Sequence, residues 1–493
     1  MSTGEPVPIR RQVDRSYEPA ELIDVLGDWM SGPGPLYRKL ALAVREAVRD
    51  GSLEPRGRLP SERSLAKALV VSRATVVAAY DELRGLGVVD SRHGSGTRVV
   101  RQPGPLSSRT DGRVPGGTAT SIFQRLIDGP GDVISLVRAM EGAVPELGEE
   151  LASLLAEDLP GLTADVGYHP RGLPALREAV ATHFTAAGVR TAPDQVLVTT
   201  GVAQALTLTA QLYLRRGSVV VTESPGWPGC FDIFVAAGAR LAGVPLDEDG
   251  PRLDALTRAF TEHRPDLLYV MPTVHNPTGT LMSEGRRRRL AEIAASHGVP
   301  ILEDNAYNSG APDAPPPIAG YAVPGSEILS TDSLAKTVWG GLRIGWIRAP
   351  VEIIERLARQ KALADLGSPI LDQALVARLL PRLPEITAAR SAVLRQRLGH
   401  LVELLTEQLP EWRYRVPRTG SALWIELPGV DAQGFAQVAL RHGVEVVPGA
   451  AMDPSGAHDS YIRLPYTFPT DVLTEVVRRL TSAWAELRNK AAR

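Results

Sequence analysis

Apolar positions in residues 36–50 (LYRKLALAVREAVRD) recur as Leu36, Leu40, Val44 and Val48, one face of a helix, and Gly51 is its stop. In "GRLPSERSLAKAL" Pro60 ends extended chain, Ser61 can cap, and Leu65, Ala68 and Leu69 form the stripe of a second helix. Ser72 can cap a third, "RATVVAAYDELRGLG", with Val76, Tyr80 and Leu83 facing inward. Then "VVDSRHGSGTRVV" sets two β-branched runs around His93-Gly94-Ser95-Gly96, which predicts a hairpin.

Residues 102–130, with "QPGPLSSRTDGRVPGG", lose this periodicity and read as a flexible linker. Before Pro35 the chain is polar, except for "LIDVLGDWM", which reads as a short docking helix. Beyond the linker, buried-strand runs ("QVLVTTG", "SVVVTES", "DLLYVMP", "VPILEDN", "EILSTDS") alternate with helical stretches such as "VAQALTLTAQLYLRRG". That alternation predicts a doubly wound α/β sheet, whose ligands sit at the carboxyl ends of its strands. The run Arg286–Arg289 in "SEGRRRRLAEIAASHG" reads as a solvated helix face. From about residue 385 a long helix followed by "SALWIEL", "VEVVPG" and "SYIRLPY" predicts a small α+β subdomain. The expected domains are therefore 35–101, the linker 102–130, and 131–493 with its subdomain at roughly 385–493.

At 493 residues, with 44% hydrophobic and 22% charged content, the chain can build large cores, and global disorder is excluded. A single cysteine, Cys230, excludes an intrachain disulfide and fits a reducing cytosol. The first residues lack the apolar core of a signal peptide, and no uninterrupted apolar run is long enough to span a membrane. A cytoplasmic protein without membrane contact or metal site is expected. Net charge is −2, but residues 35–101 hold 13 Lys/Arg against 7 Asp/Glu, so a basic segment sits on an acidic body. This suggests a local polyanion contact.

Two short helices joined by a tight turn, the second opening Ser-Arg-Ala-Thr, make a helix-turn-helix, and the hairpin adds a wing. Arg73 and Thr75 would meet base edges and phosphates from the start of the recognition helix, arginine being suited to bidentate contact with guanine. Arg63, in the first turn of the preceding helix, can hold phosphate, and Gly94 lets the wing backbone approach the minor groove. Arg84 and Lys67 stay open between contact and plain surface charge. From Pro35 to Arg101, through "LPSERSLAKAL" and "SRATVVAAYDELRGLGVVDSRHGSGT", the segment closely resembles the GntR-type winged-helix regulators. The resemblance implies double-stranded operator DNA as partner and Arg63, Ser72, Arg73, Thr75 and Gly94 as contact positions.

Four predicted strand ends carry chemistry. Asn276-Pro277-Thr278-Gly279 follows one, Asp304 with Tyr307 another, "SLAKTVWGGLR" with Lys336 and Arg343 a third, and Gly201 opens a helix after the fourth. Together they match the needs of pyridoxal phosphate. Lys336 supplies the Schiff-base amine. Asp304 keeps the pyridine nitrogen protonated, so the ring withdraws electrons. Asn276 and Tyr307 can donate to the phenolate oxygen. Arg343, Ser333 and the helix-terminal amides of Val202 and Ala203 suit the phosphate, and Trp227 can cover a ring face.

With "NPTG", "EDNAY", "SLAKTVWGGLRIGW" and "YHPRGLPALREAV" in family order, residues 131–485 resemble a fold-type I aminotransferase. The whole chain is similar to MocR-type (GabR-like) regulators: a multidomain protein with an N-terminal winged helix-turn-helix and an α/β fold-type I aminotransferase-like domain. The resemblance implies Lys336 as the aldimine lysine, Tyr168 reaching the phosphate of the neighbouring subunit, and Arg463 pairing an amino compound's α-carboxylate. It also implies a homodimer, domain-swapped head to tail. "TGVAQAL", "WGGLR" and "EDNAY" depart from the commoner patterns and bear on the effector class. The expected function is transcription regulation by pyridoxal phosphate with a small-molecule amino effector. The alternatives are an active aminotransferase with an accessory DNA-binding domain, and a sensor of free pyridoxal phosphate in which Arg463 is vestigial.

Overall fold

The computed structural model describes residues 16–27, 29–30, 35–49, 52–53, 57–85, 88–92, 96–99, 133–307, 314–453 and 455–491. The linker expected at 102–130 and the wing residue Gly94 lie outside them. The chain divides into two compact units, 1–113 and 114–493.

The first unit holds helices α1 (Pro19–Leu26), α2 (Leu36–Arg49), α3 (Glu62–Leu69) and α4 (Arg73–Gly85), then strands β1 (Val89–Arg92) and β2 (Gly96–Val99). Ser61 caps α3 through its hydroxyl on the Ser64 amide, 3.2 Å. Ser72 does the same for α4 on the Thr75 amide, 3.1 Å. Both caps satisfy amides that have no partner inside the helix. β1 and β2 pair antiparallel from Val89↔Val99 to Arg92↔Gly96, so Gly96, expected in the turn, is strand. Leu40, Val44, Leu65, Val76, Tyr80 and Leu83 form the core. Leu36, expected inside, is 43% exposed; Ala41 and Ala47 are buried instead. The expected docking helix is α1, and it docks on this unit: Tyr17, Leu22, Leu26 and Trp29 belong to the same core.

In the second unit β3 (Ile134–Ser135) comes first. There follow β4 (Val196–Thr199), β5 (Val219–Ser224), β6 (Arg240–Asp247), β7 (Gly250–Pro251), β8 (Leu267–Val270), β9 (Ile301–Asp304), β10 (Ile328–Ser333) and β11 (Gly345–Arg348). These eight form one sheet in the order β4-β11-β10-β9-β8-β5-β6-β7. The sheet is mixed: β11 runs antiparallel to both its neighbours and β7 antiparallel to β6, while the other pairings are parallel. Alternate residues face opposite layers, as a strand's two-residue period requires. Val198, Val221, Leu268 and Ile301 enter one core; Leu197, Val220, Tyr269 and Leu302 enter the other. The reversal into β11 matters for the site. The chain leaves β10, passes Lys336 and Arg343, and returns as the adjacent strand, so both residues stay at the carboxyl edge.

The smaller subdomain packs the helices Leu383–Gln408 and Thr470–Ala491. Its strands are β12 (Arg413–Tyr414), β13 (Ala422–Glu426), β14 (Val444–Glu445), β15 (Val447–Pro448) and β16 (Tyr461–Pro465). The sheet order is β12-β13-β16-β15. β14 instead pairs in parallel with β3, which brings the start of this unit into the small subdomain.

Arg287 corrects the reading of the Arg286–Arg289 run as a solvated face. It is fully buried. Its guanidinium donates to the carbonyls of Met282 (3.1 Å), Pro316 (3.0 Å) and Pro272 (2.8 Å) and to the Thr273 hydroxyl (2.9 Å). Only Arg288 and Arg289 are exposed, each paired with a glutamate on the same helix. Among the described residues no helix is long and apolar enough to cross a membrane.

Candidate functional site: a lysine pocket at the strand ends and an exposed recognition helix

Asp304 closes β9 and is 1% exposed. Its carboxylate accepts from the Ala306 amide (3.0 Å) and the Tyr269 hydroxyl (2.9 Å). Burial raises its pKa, against lowering by that amide, by Tyr269 and by the charge of Lys336. A buried carboxylate short of positive partners is suited to a protonated ring nitrogen. Tyr269 was missed in the sequence because, one position inside a buried strand, it reads as core.

Lys336, half-buried after β10, holds its Nζ 5.2 Å from the centre of the Tyr307 ring. Burial pushes the Tyr307 hydroxyl up, but Lys336, Ser421 and Arg463 outweigh it and the net shift is downward. That hydroxyl and the Arg463 Nε are buried without a well-oriented hydrogen-bond partner. Lys336, Tyr307, Val274, Glu141, Arg390 and Ser421 line one cavity of about 50 Å³. Val274 carries a φ of +56°, a conformation β-branched residues resist, immediately before His275 and Asn276. Asn276 is half-buried on this loop, and the Asn276–Pro277 bond is cis.

Beneath the loop, Glu223 and His275 are buried, with 3.5 Å between Oε2 and Nε2. Burial pushes Glu223 up to about 8 against the Met271 amide, and Asp304 adds to the rise. Burial pushes His275 down to about 3, against a hydrogen bond with the Pro225 backbone. Burial thus disfavours the charged form of both.

At the neighbouring strand ends, Arg343 Nη2 donates to the Thr200 carbonyl, 3.0 Å. A Cβ on Gly201, whose φ is +93°, would come within 3.1 Å of that same nitrogen. The guanidinium thus lies over the start of the helix Val202–Tyr213, where the amides of Val202 and Ala203 stand. Ser333, 3% exposed, pairs with Gly345. A Cβ on Gly345 would sit 2.9 Å from the Gly201 Cα, so the two backbone segments touch. The composition and geometry here suit an anion. Gln204, in the departure "TGVAQAL", turns inward: it accepts from the Thr200 amide (2.9 Å) and from the buried Lys361 (2.9 Å), and donates to Asp365 (2.7 Å).

Trp227 is half-buried and packs on the apolar cluster that holds Val274, Ala306 and Tyr307. Arg463, 5% exposed on β16, donates through Nη2 to the carbonyls of Val137 (2.5 Å) and Leu136 (3.3 Å). Tyr168 stands apart, 68% exposed, lining a separate cavity with Arg171 and Arg359. Arg390 was not singled out in the sequence. It bonds Glu141 (2.6 Å), the Gly142 carbonyl (2.6 Å), and the carbonyls of Thr337 (3.1 Å) and Val338 (3.2 Å) beside Lys336.

In the first unit Arg63 is exposed on α3. Arg73 opens α4 with its side chain 69% exposed and reaches Glu62 at 3.2 Å. The Ser72 and Thr75 hydroxyls lie 2.8 Å apart.

Residues 36–99 match the family described as bacterial regulatory proteins, gntR family, and residues 163–480 match aminotransferase class I and II. The uncharacterized HTH-type transcriptional regulator YisV of Bacillus subtilis (strain 168) is 32% identical over 453 residues, 88% of this chain and 92% of YisV. The protein named "Probable rhizopine catabolism regulatory protein MocR" from Rhizobium meliloti is 31% identical over 406 residues, 77% of this chain and 78% of MocR. Among solved structures, LysN, the alpha-aminoadipate aminotransferase from Thermus thermophilus complexed with N-(5'-phosphopyridoxyl)-L-leucine, superposes with a TM-score of 0.68. It is 31% identical, covering 77% of this chain and 97% of LysN. A GntR helix-turn-helix and a class I/II aminotransferase domain thus stand in one chain, in the order of its regulator relatives, and the protein belongs to the MocR-type family of transcriptional regulators.

Proposed function

We propose that the protein is a DNA-binding transcriptional regulator whose aminotransferase-like domain holds pyridoxal phosphate and senses an amino compound. The carrying observation is the coexistence of an exposed recognition helix headed by Arg73 with a half-buried Lys336, a buried Asp304 and Arg343 gathered at neighbouring strand ends. The pocket's own features fit the cofactor: a buried carboxylate at Asp304, a buried Tyr307 hydroxyl without a well-oriented hydrogen-bond partner, and a Gly201–Arg343 cradle that a Cβ would fill. When bound, the cofactor supplies an aldehyde that captures amines and a ring that withdraws electrons.

In this reading Lys336 holds the aldehyde and Asp304 the ring nitrogen, with Tyr269 orienting Asp304. Asn276 and Tyr307 face the ring oxygen, and Trp227 covers a ring face. Arg343, Ser333 and the amides of Val202 and Ala203 bind the phosphate. Arg463 takes the effector's carboxylate, and its unpartnered Nε supports that role. Tyr168, exposed and apart from the other groups, fits a reach into a second subunit, which makes a head-to-tail, domain-swapped homodimer the proposed assembly. Arg63, Ser72, Arg73 and Thr75 meet operator DNA, with Gly94 in the wing. Transamination is the second reading, favoured by the completeness of the same pocket.

The DNA arm is tested at Arg73. A well-placed bidentate arginine contributes about 1–3 kcal/mol of discrimination, and the exposed pair with Glu62 that must open contributes at most about 1 kcal/mol. Arg73→Ala is therefore expected to weaken binding to a selected operator about tenfold or more while binding to random DNA changes little. Equal loss on both DNAs, or no loss, contradicts the assignment.

A further inference from the structure

Arg463 is already engaged with the chain. Its Nη2 carries two hydrogens, and two carbonyls take them: Val137 O at 2.5 Å and Leu136 O at 3.3 Å. A guanidinium offers a carboxylate two bidentate faces, Nη1 with Nη2 and Nε with Nη2. Both faces include Nη2. A carboxylate held bidentately therefore competes with these two carbonyls for Nη2.

The side chains of Leu136 and Val137 are buried, but the backbone of this stretch has a short pairing. β3 meets β14 over only two residues, through Ile134 N on Gly443 O (2.9 Å) and Leu136 N on Glu445 O (2.8 Å). The Ser135 hydroxyl adds a bond to Glu445, 2.5 Å. At the far end, Arg390 joins the Gly142 carbonyl to the Thr337 and Val338 carbonyls next to Lys336. Both ends of the pocket thus grip residues 136–142. In chain order these lie immediately after the linker expected at 102–130.

We propose that effector binding is signalled by competition: the ligand carboxylate displaces Leu136 or Val137 from Arg463 and loosens the β3–β14 bridge. This rests on the cofactor and effector reading of the pocket. It assigns residues 134–142 as the element through which occupancy reaches the chain that leads to the DNA-binding unit. An allosteric signal requires such a difference between two states.

The test is hydrogen–deuterium exchange on the full-length protein, loaded either with N-(5'-phosphopyridoxyl)-L-alanine or with pyridoxamine phosphate, which lacks the carboxylate. Loss of one charge-assisted bond predicts about tenfold faster exchange at the Ile134 and Leu136 amides with the alanine adduct, and equal exchange in β9 and β10. In Arg463→Ala the difference between the two ligands should vanish. Unchanged or slower exchange at 134 and 136 in wild-type protein, with both ligands retained through gel filtration, overturns this inference alone. Failure of both ligands to be retained overturns the cofactor reading, and this inference with it.

Discussion

Replacing Lys336 by alanine is expected to abolish covalent retention of pyridoxal phosphate. Wild-type protein incubated with the cofactor, reduced with borohydride and digested should carry the added mass on the peptide containing Lys336. Lys336→Ala should carry none there and should lose its visible absorbance on desalting. The fold should survive, because Lys336 is only half-buried and no hydrogen-bonded network depends on its Nζ in the way that one depends on Lys361. The removal has a second consequence in the same pocket. Lys336 is among the charges that pull the Tyr307 hydroxyl down against its burial, so that hydroxyl should titrate higher in the variant. A reduced adduct of the same stoichiometry in Lys336→Ala, at any lysine, would contradict the assignment.

Arg287→Ala should produce the largest loss of stability among single changes in the basic run. Four acceptors depend on this guanidinium, three of them backbone carbonyls. Burial pushes Arg287 down to about 10, against Glu303 and Tyr321, so it remains charged at neutral pH. Truncation leaves buried carbonyls unsatisfied, each costing about 1–3 kcal/mol before relaxation, and opens a cavity. A net loss of about 3–5 kcal/mol is expected in the denaturant unfolding of the larger unit. Pro272 and Thr273 belong to the loop that continues to Val274 and Asn276, so weaker cofactor retention should accompany it. Lysine should rescue only partly, since three donors on one nitrogen cannot reproduce a planar fork. Arg288→Ala and Arg289→Ala, which remove exposed same-helix pairs, should cost at most about 0.5 kcal/mol. An Arg287→Ala loss below about 1 kcal/mol would contradict this account.

Local signals made much of the architecture readable. The Ser61 and Ser72 caps, the inward face of Val76, Tyr80 and Leu83, and the strand ends bearing Asp304 and Lys336 all lie within short, periodic stretches. What escaped reading depends on partners far away in the chain. Arg287 sits in a run of four arginines whose period says only that one face is polar; its burial follows from where Pro272 and Pro316 return. Arg463 is bound 326 and 327 residues away from its own position. β11 escaped because "RIGWIR" is short and its neighbours are set by the reversal after β10. The helix α1, expected to dock, lay outside the expected domain 35–101 because polar residues divide it from α2, yet Leu22 is fully buried in the core that α2 helps build.

The most direct measurement of the central claim is operator affinity by fluorescence anisotropy. The pyridoxal-phosphate-loaded protein is titrated alone and with each of a panel of amino acids and ω-amino acids, with the visible spectrum followed in parallel. The account predicts at least one carboxylate-bearing amine that changes both the spectrum and the apparent affinity, the latter by about 5–150-fold, the usual range for coupled sites. Lys336→Ala should lose both responses. A panel that changes the spectrum, or consumes the cofactor's aldehyde form, while affinity stays constant throughout would contradict regulation and leave the catalytic reading in its place.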